Sequence, residues 1–236
     1  AHLCAWKAGC KYMAQPDEAI YDERALWQTA DSACTALINS RIYELANSPE
    51  DMCTGTLVEN DRESIYENVM RGFWNELEDE LPSKAKSAFC FGSLFQTWPV
   101  MFKEGEGNIK NMTYRILNST VREMYPSRTV GEKVITDLRR DAYFYKLDSM
   151  SHDTLLPITG GYAYPWKWRL GKFETTGWFE GQFINFDQNR VWFRLADIIL
   201  LRAECRVRLG DNAGAIEDLN IVRKRADAEL YNSSEY

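Results

Sequence analysis

The chain has 236 residues, 45% of them hydrophobic and 27% charged, enough to bury one sizeable core or two modest ones. Its formal net charge of -7 and pI near 5.1 argue against broad electrostatic binding to nucleic acid or to an anionic membrane surface. A neutral ligand such as a sugar or a peptide fits that charge better, and the 8 Trp and 12 Tyr suit binding faces and cores alike.

Residues 1–14 read as a helix with Leu3, Trp6, Cys10 and Met13 on one face. After a break around Gln15, Pro16 and Asp17, a second helix runs from Glu23 to Asn39. Its apolar stripe is Leu26, Trp27, Ala30, Cys34, Leu37 and Ile38. Residues 40–65 form a connector, and 64–81 hold a short helix or strand. Residues 82–135 read as irregular, with aromatics spaced among Gly, Pro, Ser and Asn. Within them Leu117–Tyr125 predicts a short helix stopped by Pro126. Tyr143, Phe144 and Tyr145 alternate as a strand would. Residues 151–190 carry the Gly160–Gly161 turn and then Tyr162, Tyr164, Trp166 and Trp168, a pattern for a β-hairpin or an extended loop. A loop so long and so aromatic is expected to be functional rather than disordered.

Residues 191–209 predict the clearest helix, and Gly210 follows at the position where a left-handed backbone favours glycine. Asp211 or Asn212 then caps a helix over 213–227 whose inner face is Ala215, Ile216, Leu219 and Val222. Two helices joined by a Gly turn, with Ala203 and Ala215 near the crossing, make a TPR-like pair. Trp6, Trp27 and Trp192 fall on helix stripes and are expected in the core.

No apolar run reaches membrane-spanning length. The six cysteines include no CxxC pair. Cys4, Cys10, Cys34 and Cys205 lie in apolar helical patterns and are expected as buried thiols. One disulfide among Cys34, Cys53 and Cys90 stays open. His2 and His152 stand outside any zinc-binding pattern, and no nucleophile elbow or P-loop is present, so no cofactor or metal is expected. The acidic run Glu76–Glu80 is expected to be a solvated face rather than a pair of glycosidase carboxylates.

The stretch from Phe193 through Arg194-Leu-Ala-Asp197, Arg202-Ala-Glu204, Leu209-Gly210 and Asp218-Leu-Asn220 to Arg223-Lys-Arg-Ala226 closely resembles the C-terminal TPR pair of the SusD/RagB family. The segment from Ala30 to Leu45 resembles a second family segment, a helix ending in a turn. Arg41 stands where glycine is common in that turn, so a different turn is expected.

The resemblance implies a mainly α fold of TPR-like helical hairpins with a long, irregular, aromatic-rich insert. The whole of 1–236 is then part of a single SusD-like domain. It has TPR-like helices over 1–45, an insert with ligand-binding loops over 46–189, and a C-terminal TPR-like pair over 190–228. The resemblance further implies an outer-membrane lipoprotein, not an enzyme, whose lipid anchor lies outside this chain. Such a protein captures oligosaccharides, or peptides in some members, and passes them to a SusC-like TonB-dependent transporter. A TPR-type adaptor without a small ligand is the alternative.

Sugar binding needs a flat aromatic platform against the apolar face of a pyranose, with polar side chains to fix the hydroxyls. Trp98, beside Gln96, is the first candidate in the insert. Trp74 beside Asn75 is the second, and Trp166 and Trp168 are the third. Asn108, Asn111 and Arg169 are weaker candidates for the hydrogen bonds.

Overall fold

The computed structural model describes residues 1–9, 22–58, 61–68, 116–148, 161–173, 177–181, 183–186 and 188–232. The chain divides into two compact units. The first comprises Ala1–Ala46, Asp61–Tyr66 and Val191–Tyr236, and the second Asn47–Asn60 and Glu67–Arg190.

The first unit is a row of helices. Helix α1 (His2–Gly9) packs on α2 (Glu23–Asn39), and α2 packs on a helix at Leu195–Leu209, which in turn packs on one at Asn212–Arg225. The Asp22 carboxylate caps α2 by accepting from the Ala25 amide at 2.9 Å. One apolar cluster joins Ala5, Ala8, Trp27, Ala30 and Cys205. Another joins Leu195, Ala196, Ile199 and Val222, with Leu37, Ile38 and Tyr43 against them. The small residues let the helix backbones approach closely.

That packing corrects the reading of α1. Its inner face is Ala5 and Ala8, while Leu3 is 80% and Trp6 71% exposed. The bulky residues had marked the stripe by size, but the close contact with α2 selects alanines. Trp27 is buried as expected.

Helix α2 ends where the resemblance led us to expect a different turn. Arg41 has φ 55°, the left-handed region that glycine occupies without strain, so the turn keeps its glycine-type geometry with an arginine in it. Its carbonyl accepts from Arg62 Nη2 at 3.1 Å, a bond any residue would keep. Arg41→Gly should therefore raise stability by about 0.5–1 kcal/mol, because the left-handed conformation costs a side chain about 1–2 kcal/mol and glycine returns part of that as chain entropy. A urea midpoint that stays or falls would contradict the strain.

The second unit begins with the single turn α3 (Pro49–Asp51), capped by Ser48 Oγ on the Asp51 amide, and a π-helical turn at Met52–Thr56. Strand β1 (Ser64–Asn68) pairs with a strand at Arg190–Arg194. Then follow β2 (Ile116–Leu117), α4 (Asn118–Met124), β3 (Ser127–Val130), β4 (Lys133–Thr136) and α5 (Arg139–Tyr143). Strands β3 and β4 form an antiparallel hairpin from Ser127↔Thr136 to Val130↔Lys133. The expected short helix before Pro126 is α4. The stretch before Tyr145 differs from expectation, because residues 139–143 are helical and only Phe144 bridges, to Pro165.

Strand β5 (Tyr162–Ala163) pairs antiparallel with β2, and β6 (Gly171–Phe173) with β7 (Phe183–Phe186). The expected hairpin character of this region is thus present in short pieces. A core of Val121, Leu147 and Ala163, with Ile116, Tyr125 and Phe144 against it, holds α4 to the β2–β5 pair.

Strand β8 (Arg190–Arg194) replaces the first turn of the predicted helix over 191–209, and Trp192 is 45% exposed on it rather than core. Arg194 has an extended backbone (φ -138°, ψ 166°), and its amide donates to Asp197 Oδ2 at 3.2 Å. An acceptor at that offset starts a helix after residue 194, not before it. Helix α6 (Leu195–Leu209) then runs to Gly210 at φ 91°, and Asp211 caps α7 (Asn212–Arg225) through the Gly214 amide at 2.9 Å. Ala215, Ile216 and Val222 are buried as expected, and Leu219 is half-buried.

Candidate functional site

The charged residues of the first unit are its fasteners. Glu63 is fully buried. It accepts from Arg194 Nη1 at 3.1 Å, Arg225 Nη1 at 2.7 Å and the Ala46 amide at 2.8 Å. Asp218, also buried, takes a two-pronged contact from Arg202 at 2.8 and 2.6 Å and a third from Arg206 at 3.0 Å. The hydrogen bonds that Arg202 donates to Asp218 raise the pKa of its guanidinium, against the opposing effect of burial. Asn220 braces the outgoing chain, with its amide group accepting from the Tyr231 N–H and donating to the Tyr231 carbonyl, both at 2.9 Å.

Cys34, Cys53 and Cys205 are buried free thiols and Cys4 is half-buried. A Cys34–Cys53 disulfide is therefore absent, while Cys10 and Cys90 lie outside the described residues. Burial pushes Cys34 up to about 11 and Cys205 to about 12. Burial also raises Cys53 against the pull of Arg169. Thiols so held stay protonated and serve as packing groups, not nucleophiles.

The second unit gathers aromatic rings. Helix α5 stops at Phe144, whose backbone turns extended, and the chain then runs antiparallel to residues 164–166. The Tyr145 amide donates to the Tyr164 carbonyl at 2.9 Å and the Trp166 amide to the Tyr143 carbonyl at 2.6 Å. Phe144 faces the Val121–Leu147–Ala163 core, so alternation sends Tyr145 and Trp166 to the other side. There their rings meet, with centroids 4.8 Å apart and planes tilted by 58°. Tyr145, Trp166 and Trp168 are each half-buried.

One buried side chain sets the turn that follows Trp166. Gln188 Oε1 accepts from the amides of Arg169 at 2.5 Å and Leu170 at 3.1 Å. Its Nε2 donates to the carbonyls of Cys53 and Lys167, each at 3.1 Å. Arg169 is then fixed by Glu50 at 2.7 Å and by the Ala142 carbonyl at 2.9 Å, with its guanidinium 5.1 Å from the Trp166 ring. Arg169 therefore supports the shelf rather than reaching for a ligand.

Cations rim the rings. Lys167 Nζ lies 5.5 Å from the Trp168 ring and 5.9 Å from that of Tyr143. Lys146 Nζ lies 5.2 Å from the Tyr145 ring. Lys146 also has φ 45°, a left-handed backbone in a residue with a side chain. That conformation costs about 1–2 kcal/mol, whereas an exposed cation–ring contact returns only about 0.5–1 kcal/mol. The contact with Tyr145 does not by itself account for a lysine at this position.

Of the sequence candidates, Trp166 meets Tyr145, and Trp168 follows two residues on with Lys167 over its ring. Trp98, Gln96, Trp74 and Asn75 lie outside the described residues, as do Glu76–Glu80, Asn108, Asn111 and His152. Sequence reading missed Tyr145 and Gln188, because the contacts that matter to them join segments about 20 residues apart or more, and Lys146, because no local residue signals its left-handed backbone. It also missed Trp178, fully exposed in the 3-10 turn Gly177–Phe179 between β6 and β7. Among the described residues no cluster of His, Cys, Asp or Glu could hold a metal ion. None of their helices is long and apolar enough to cross a membrane.

Stacked helices ending in a Gly-turn pair, with a mixed unit that carries an aromatic shelf, define a mainly helical protein of TPR-like hairpins. Residues 160–236 match the model of the SusD family. The fold agrees over nearly the whole length. A SusD homolog from Bacteroides thetaiotaomicron VPI-5482 superposes with a TM-score of 0.56 at 20% identity, over 96% of this chain and 41% of that one. Surface glycan-binding protein A from Bacteroides uniformis gives 0.52 at 17% identity, over 97% and 42%. Its namesake from Bacteroides thetaiotaomicron gives 0.52 at 17%, over 89% and 45%. The chain thus spans less than half the length of these structures. No curated protein shows a significant sequence match.

Proposed function

We propose that this protein is a glycan-binding subunit of the bacterial outer surface that captures oligosaccharides and passes them to a SusC-like TonB-dependent transporter. It would grip the sugar without breaking bonds and would be held to the outer membrane by a lipid anchor outside this chain. The observation that carries the reading is the Tyr145–Trp166 ring pair with Trp168 two residues on, all three only partly buried, while Gln188 and Arg169 fix the adjoining backbone. A pyranose presents an axial C–H face that stacks on such rings, and the neighbouring polar groups order its hydroxyls. Kinship of residues 160–236 with the SusD family, and a fold shared with surface glycan-binding proteins, support the same reading. Trp98 with Gln96 and Trp74 with Asn75 are proposed to extend the platform.

Calorimetric titration of the full-length protein with an oligosaccharide panel tests this. At least one glycan should bind, and Trp166→Ala should weaken it about tenfold, the loss of about 1.4 kcal/mol of stacking and burial. Silence across the panel, or unchanged affinity in the folded variant, would remove the shelf from the mechanism. Binding of peptides in place of sugars would turn the reading to a RagB-like peptide-capturing subunit.

A further inference from the structure

The geometry points to selection of acidic sugars: Lys146 is the rim cation that would engage a carboxylate or sulfate on a glycan stacked at Tyr145 and Trp166. The inference rests on the glycan-binding reading of that shelf. Cations over aromatic rings gather in this unit although the chain is acidic overall, at -7. Two of them are already committed. Arg139 is held by Asp137 at 2.9 Å through Nε, and Arg169 by Glu50 at 2.7 Å.

Lys146 differs from both. It is exposed, and among the described residues it forms no ion pair. Its ammonium rests on the very ring that stacks with Trp166. Its backbone is left-handed, where glycine would sit without strain. The Tyr145 contact returns less than the strained backbone costs, which places a further use of the side chain at a ligand. A lysine suits the task, because its flexible stem lets the point charge swing from the Tyr145 face to an anionic group as the sugar ring takes the face.

Matched probes separate this from stacking alone. They are oligogalacturonates against their methyl esters, and sulfated against desulfated chondroitin oligosaccharides, titrated into the full-length protein. At least one acidic form should bind about fivefold more tightly than its neutral partner, and the preference should shrink as salt is raised. Lys146→Gln should bring the acidic and neutral forms of each pair to the same affinity, the ratio between them being the readout. Lys146→Gly should do the same while raising the unfolding midpoint, a combination that a merely structural lysine would not give.

Equal binding of every matched pair by the natural protein, or a preference that survives Lys146→Gln, overturns acid selection. If the neutral forms still bind and are weakened by Trp166→Ala, the shelf stands without it. If no glycan binds in either form, both readings fall together.

Discussion

Replacing Glu63 with alanine is expected to cost about 3–5 kcal/mol of stability, the usual price of stripping the partner from buried charges. Glu63 is fully buried and joins three parts of the first unit that are far apart in sequence. Its carboxylate receives Arg194 at the start of α6, Arg225 at the end of α7 and the amide of Ala46 in the connector. Its own carbonyl accepts from the Leu195 amide at 2.9 Å, and Asp61 Oδ1 accepts from its amide at 2.8 Å. Alanine would leave the buried Arg225 side chain without a counter-charge and Arg194 with only the 3.6 Å contact of its Nε to Asp197. Glu63→Gln keeps the shape and an acceptor for Ala46 but not the charge, so it should fall between the two. In urea the alanine variant's midpoint should drop by about 1–2 M at an ordinary denaturant slope. A drop below about 0.3 M would mean that the arginines find other partners and that the network is ornamental.

The same network explains what was legible in the sequence. Arg194, Arg202, Asp218, Asn220 and Arg225 lie in the segment whose resemblance points to the SusD/RagB family, and each is tied to a buried partner or a backbone brace. That signature records how a helix pair is fastened, which is a local matter of spacing and caps. Helix α2 was therefore readable to its ends, and α6 and α7 nearly so. The four residues before Leu195 were not, because Val191-Trp-Phe-Arg194 continues the apolar pattern of the helix. Only the acceptor at Asp197 and the distant Glu63 set the break.

The site was less legible than the scaffold. Tryptophans announce a platform by composition, so Trp166 and Trp168 could be named. Their setting could not, because Tyr145 meets Trp166 across a pairing of segments whose intervening residues give no register. Size also misled: Trp6 and Trp192 look like core by pattern, yet alanines fill the close contact between α1 and α2 and Trp192 sits exposed on a strand.

Gln188 is where that hidden setting can be tested. Gln188→Leu, close in volume, is expected to cost about 3 kcal/mol or more. It would orphan two amides and deprive two carbonyls in a buried position, at about 1–3 kcal/mol for each group left without a partner. The loss should be local before it is global. The Arg169 and Leu170 amides donate to Gln188, so their hydrogen exchange should speed up sharply, while amides of α6 and α7 in the other unit keep their protection. Freed of its turn, Arg169 would lose its hold between Glu50 and the Ala142 carbonyl, and the Trp166 ring its guanidinium support. Glycan affinity should then fall with Gln188 although this side chain, 4% exposed, never reaches the ligand. Unchanged exchange at residues 169 and 170 would show that the turn holds its shape without the amide. The aromatic shelf would then be a property of the strand pairing alone.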